Sequence, residues 1–88
     1  MEQSAQPQFL GRYIVADPEI CHGKPTFRGT RIMVFQVLNM VAKGLAWEEI
    51  IQECHSSITQ EAIAEAVALA GRAFADHAYQ YVLEPVAA

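Results

Sequence analysis

Residues 33–44 read MVFQVLNMVAKG, and the spacing of their apolar side chains decides the fold class. Val34, Val37, Leu38 and Val41 fall at i, i+3, i+4 and i+7, the repeat that places side chains on one face of an α-helix. Phe35 and Met40 widen that face beyond an ordinary stripe, so the helix offers apolar surface in more than one direction. Gly44 is the residue type that most readily follows a helix end.

The same spacing recurs downstream. Trp47, Ile50, Ile51 and Cys54 predict a short second helix, with Glu48 and Glu49 in its first turn, where the helix dipole favours anions. Ala46 stands at its cap position and has no side-chain acceptor to offer. His55-Ser56-Ser57-Ile58 reads as a turn, and Thr59 caps a third helix with Glu61 just inside it. Ile63, Ala66, Val67, Ala70 and Phe74 continue one stripe. The helical pattern runs to about Leu83, and Pro85 ends it. Such a helix spans roughly 35 Å, more than so small a core needs, and Gly71 is the expected place for a bend or break.

Upstream the period changes. Residues 12–16, RYIVA, read as a short strand stopped by Asp17-Pro18. Gly23, Pro25 and Gly29 punctuate the loop that follows, and Thr26-Phe27-Arg28 fits a second short strand between those breakers. An isolated hairpin is marginal in water, so these strands must pack on the helices or pair with another chain. The expected fold is mainly α: a three-helix, helix–turn–helix-like bundle with a short N-terminal β-hairpin and an extended C-terminal helix. Residues 1–11 are expected to be a flexible N-terminus, 12–84 a single domain and 85–88 a C-terminal tail.

Composition bounds the function. The chain has 88 residues, 52% apolar and 18% charged. That balance excludes global disorder, and no apolar run approaches the roughly 18 residues of a membrane span. Net charge is −4, unlike the usual basic nucleic-acid binder. The distribution is uneven. Residues 1–43 hold five of the six Lys/Arg against three of the ten acids, a balance of +2; residues 44–88 hold Arg72 against seven acids, a balance of −6. Two cysteines and no visible signal peptide point to a reducing cytoplasm.

Two stretches are candidate sites. The loop at 18–31, PEICHGKPTFRGTR, gathers Lys24, Arg28 and Arg31, with no acid after Glu19. Three cations can meet phosphates or a carboxylate-rich partner; equally, they can tie the loop to helix carbonyls or to acidic side chains. Lys24, Arg28, Thr30 and Arg31 are the candidate binding residues, and Gly23, Pro25 and Gly29 shape the loop. The segment is not a phosphate-cradling P-loop, because GKP lacks the spaced glycines and the hydroxyl residue after lysine. The second stretch is the apolar tail, where Phe74, Tyr79, Tyr81, Val82 and Leu83 serve either the core or a surface for a dimer or another protein partner.

Other chemistry is weakly signalled. Cys21-His22 and Cys54-His55 lack the spacing of structural zinc sites, so no metal or other cofactor is expected. No triad or carboxylate pair is recognisable, so the chain is not expected to be an enzyme. Read as a helix–turn–helix, the third helix turns Gln60, Glu61, Ala64, Glu65 and Ala68 outward, and two glutamates would face phosphates.

Residues 17–70, from DPEICHGKPTFRGTRI through the EEI at 48–50 and the TQEAIAEAVALA at 59–70, carry a wider pattern. Its most specific part is Gly23-Lys24-Pro25 followed after three residues by Gly29-Thr30-Arg31. On these residues the chain resembles the small bacterial family called domain of unknown function 433, over about residues 12–70. The resemblance implies a three-helix, helix–turn–helix-like bundle behind a short hairpin, often as a homodimer. Some members resemble antitoxins of type II toxin–antitoxin pairs, encoded beside a PIN-like ribonuclease toxin. Such an antitoxin blocks the toxin with a segment near its C-terminus, which here implies a toxin or dimer interface at Phe74, Tyr79, Tyr81, Val82 and Leu83, and in some pairs represses its own promoter by binding DNA. The expected function is therefore antitoxin-like, with a dimeric DNA-binding regulator or a self-associating module as alternatives. This chain departs from the pattern at His22, where Gly is common, at Met33, where Pro often opens the helix, and at Ala46, where Ser or Thr usually caps.

Overall fold

A computed structural model of the chain describes residues 6–81. Three short strands open it: β1 (Gln8–Phe9), β2 (Ile14–Ala16) and β3 (Thr26–Phe27). They form one antiparallel sheet in the order β1-β2-β3, with Phe9 opposite Val15, Ile14 opposite Phe27 and Val15 opposite Thr26. The expected hairpin is β2–β3. The additional strand β1 lies where the sequence reads as a frayed terminus, and the N–H groups of Leu10 and Gly11 both donate to the Ile14 carbonyl to close its turn. Strand alternation puts Ile14 and Phe27 on the face that meets the helices, and both are 2% exposed.

The helices are α1 (Val34–Ala42), α2 (Trp47–Glu53) and α3 (Gln60–Asp76). Neither Met33 nor Ala46 has a capping side chain, and the chain uses the reciprocal contact instead. The Met33 N–H donates to Gln36 Oε1 at 3.1 Å, and the Ala46 N–H donates to Glu49 Oε1 at 2.8 Å. Thr59 caps α3 as its sequence predicts, with Oγ1 accepting from the Ala62 N–H at 3.2 Å. Helix α1 ends on a Schellman pair, Gly44 N–H to Val41 carbonyl and Leu45 N–H to Met40 carbonyl. Helix α2 ends the same way with His55 at φ 55° in the position Gly usually fills, followed by Ser56 at φ 60°.

Val37, Ile50, Ile58, Ala62, Ile63 and Ala66 close the core beneath Ile14 and Phe27, with Cys54 at its edge. Burying the larger of these, the Val, Ile and Phe side chains, stabilises by about 1.5–3 kcal/mol each. The α2–turn–α3 geometry is thus built around core residues at both ends of the turn, Cys54 and Ile58.

Helix α3 departs from expectation in two ways. It passes through Gly71 without a break, and it stops at Asp76 rather than near residue 83. The His77 N–H still reaches the Ala73 carbonyl, but the backbone leaves helical geometry there, and a single 3₁₀ turn (Ala78–Tyr81) follows. That tightening places the Tyr81 ring 5.4 Å from the Phe74 ring. A continuous helix would have set the two residues about 10 Å apart along its axis. Val82, Leu83 and the proline expected to end the helix lie outside the described residues.

Candidate functional site: a cationic groove and a projecting helix end

The basic loop begins with a left-handed turn. Cys21, His22 and Gly23 have φ of 52°, 57° and 81°, and the Gly23 and Lys24 N–H groups donate back to Ile20 and Cys21. A β-carbon is disfavoured in that conformation, so His22 holds a backbone geometry that glycine would take without strain. Gly29 takes φ 80° in the tight turn after β3. Thr30 is committed to that turn: its hydroxyl donates to the Phe27 carbonyl at 2.7 Å and accepts from the Ile32 N–H at 2.9 Å. Thr30 therefore holds the loop's shape, which leaves the three cations as the loop's candidate binding groups.

Those cations do not form one patch. Arg28 and Arg31 line an open cleft of about 630 Å³ between the 28–32 loop and the α2–α3 turn. Lys24 lies on a separate, mostly apolar hollow of about 550 Å³ with Pro25, Val34, Phe35 and Leu38. All three cations are exposed. Among the described residues no hydrogen bond to a carbonyl or carboxylate engages their charged ends, so the reading in which they tie the loop down finds no support in these contacts. The Arg28 guanidinium instead sits over the Phe9 ring, 5.6 Å from its centroid.

The cleft's far wall escaped the sequence reading. Glu53, Cys54, His55 and Ser57 come from the end of α2 and the turn after it, and nothing in the local sequence pairs them with residues 28–31. Burial pushes the Cys54 thiol above its ordinary value, and the neighbouring Glu53 charge adds to the rise. Cys54 is thus an inert wall group rather than a nucleophile at neutral pH. Among the described residues, no group of three or more His, Cys, Asp and Glu side chains is placed to hold a metal ion.

The helix–turn–helix reading needs one correction. Gln60, Glu61, Ala64 and Ala68 are exposed as expected, but Glu65 turns toward the sheet. Its carboxylate accepts from the backbone N–H of Arg12 at 2.8 Å and of Tyr13 at 2.7 Å. A residue expected to face phosphates is a brace between α3 and the strand entrance.

The other candidate surface is the end of α3. Its last buried side chain is Ala66, and from Gly71 to Tyr81 every residue except Ala78 is exposed. Phe74 is 57% exposed, Tyr79 92% and Tyr81 63%. The core reading of this stripe therefore fails beyond Ala70, and its aromatic residues face outward.

A three-helix domain behind a small antiparallel sheet, with a cationic loop and an unpacked helix end, is the class these features define. Residues 14–70 match the model of the family described as Protein of unknown function (DUF433), and the chain belongs to that family. No match was found among curated proteins or among solved structures. No helix of the described residues is long and apolar enough to cross a membrane.

Proposed function

We propose that this chain is a non-enzymatic, antitoxin-like protein of the cytoplasm that neutralises a PIN-like ribonuclease toxin through the end of α3. The observation that carries the reading is the exposure of Phe74, Tyr79 and Tyr81 on a helix end that has left its own core. Amphipathic helices of this kind bind by laying aromatic anchors into a partner's groove, and aromatic side chains dominate such interfaces energetically. The test is growth. The neighbouring open reading frame is expressed alone, then with this chain, then with a variant carrying Phe74→Ala, Tyr79→Ala and Tyr81→Ala. The reading requires arrest that the native chain relieves and the variant does not, with the variant's thermal melt unchanged. Relief by the variant, or arrest that the native chain leaves in place, refutes it.

A dimeric DNA-binding regulator is the second reading, supported by the three exposed cations, which a two-fold axis would double. The start of α3 weighs against it, because Glu61 stands where a reader helix needs a donor. Self-association would use the hollow bounded by Pro25, Val34 and Leu38, with Phe35 at its lip. A light-scattering mass that stays monomeric at every concentration removes the dimer, and the absence of salt-dependent duplex binding removes the regulator.

A further inference from the structure

The cleft beside Arg31 does not end at the loop. A smaller hollow of about 180 Å³, lined by Tyr13 and Thr59 among others, shares Arg28 and Ser57 with it, so the two adjoin and together mark a groove along this boundary. The groove runs between the 28–32 loop and the α2–α3 turn. Its chemistry is divided. Ile32, Met40 and Cys54 give the larger cleft an apolar lining, while Arg28 and Arg31 stand along one side and His55 and Ser57 along the other. Beside Arg28 the Phe9 ring is 64% exposed. Apolar slots and an open ring take flat unpaired bases, and guanidinium groups take the phosphates that link them.

We propose that this groove binds single-stranded nucleic acid, with bases on the apolar lining and on Phe9 and the phosphodiester backbone along Arg28 and Arg31. Two other anionic partners fit less well. A duplex keeps its bases stacked and unavailable to an apolar slot. An acidic peptide brings charge but does not couple a flat ring to every anionic group, as a nucleic-acid strand does. Glu53, on the same cleft, opposes the ligand's charge and weakens binding below what the two arginines alone would give. The groove is separate from the end of α3, so this inference and the antitoxin reading stand or fall independently.

The test is fluorescence anisotropy on the full chain with labelled twelve-nucleotide oligouridylate and oligothymidylate. Two phosphate contacts on a single strand predict that affinity falls about sevenfold between 50 and 200 mM salt. Arg31→Ala lowers affinity several-fold and flattens the salt slope by about 0.7, one contact's share. Phe9→Ala weakens binding without changing the slope, and Glu53→Gln tightens it. Circular dichroism melts establish that each variant is folded. Binding of either strand with these signatures supports the proposal. It is overturned if neither strand binds, if Arg31→Ala binds as the native chain does, if a duplex of equal length binds as tightly, or if an oligoglutamate peptide displaces the strand at equal concentration.

Discussion

The carboxylate of Glu65 occupies the space that a side chain at position 11 would need. A β-carbon on Gly11 would lie 2.6 Å from Glu65 Cδ and 2.7 Å from both of its oxygens. The carboxylate is held there by the Arg12 and Tyr13 N–H groups, so it cannot step aside without releasing two charge-assisted hydrogen bonds. One glycine and one glutamate, more than fifty residues apart, fasten the strand entrance to the third helix.

Glu65→Ala is therefore expected to destabilise the domain by about 1.5 kcal/mol, the low end for a hydrogen bond to a charged group, because the Arg12 N–H is exposed to water. Gly11→Ala should cost a similar amount by displacing the same carboxylate. The double variant should cost less than the sum, since the second change has nothing left to displace. Urea midpoints of the four proteins check this, and strict additivity would contradict the shared mechanism.

At Gly71 the opposite outcome is expected. The residue lies inside α3, and a β-carbon there meets nothing within 4 Å. Gly71→Ala should stabilise the helix by up to about 1 kcal/mol. A fall in melting temperature would mean that the position is closed by a contact absent from this structure.

Helix starts give a paired prediction. Thr59→Ala removes the cap on Ala62 and should cost about 1 kcal/mol. Ala46→Ser adds a hydroxyl at a cap position whose backbone is already extended, at φ −66° and ψ 149°, and should stabilise by a similar amount. Thermal melts of the two variants should move in opposite directions.

Cys54 sets an alkaline limit. Its thiol is raised above 9.0 in the folded chain, first by burial and then by Glu53. The folded state holds that proton more tightly than the unfolded chain does. Its contribution to stability is complete below pH 9.0 and is lost as pH rises through the folded value. Between pH 8 and pH 10 the native chain should lose more stability than Cys54→Val, which cannot titrate; an equal loss would reject the assignment.

The helices were legible because their signals are local. The spacing in MVFQVLNMVAKG, the cap at Thr59 and the stop at Gly44 each depend on neighbours within a turn or two. What escaped was long-range. Phe9 has a strand partner only because Val15 happens to lie beside it, and the polar character of residues 1–8 hides that pairing. Glu65 read as an outward residue because helical periodicity places it near the edge of the apolar stripe, without showing that two backbone N–H groups wait there. The three cations read as one site because they are close in sequence. Strand β3 stands between them, with Lys24 before it on one hollow and the two arginines after it on another. The early end of α3 was missed because helical spacing persists in residues that no longer have a core to pack against.

That unpacked helix end also bears on how the sequence is free to change. Residues whose side chains face water contribute little to folding, and surface substitutions usually shift stability by less than about 0.5 kcal/mol. Along residues 72–81, then, selection acts on whatever touches the surface and hardly at all on the stability of the domain. Two proteins with this fold can share every core residue and the Glu65 brace, yet differ completely in the surface that the end of their third helix presents. Specificity can drift there one side chain at a time, with the folded domain as a constant background.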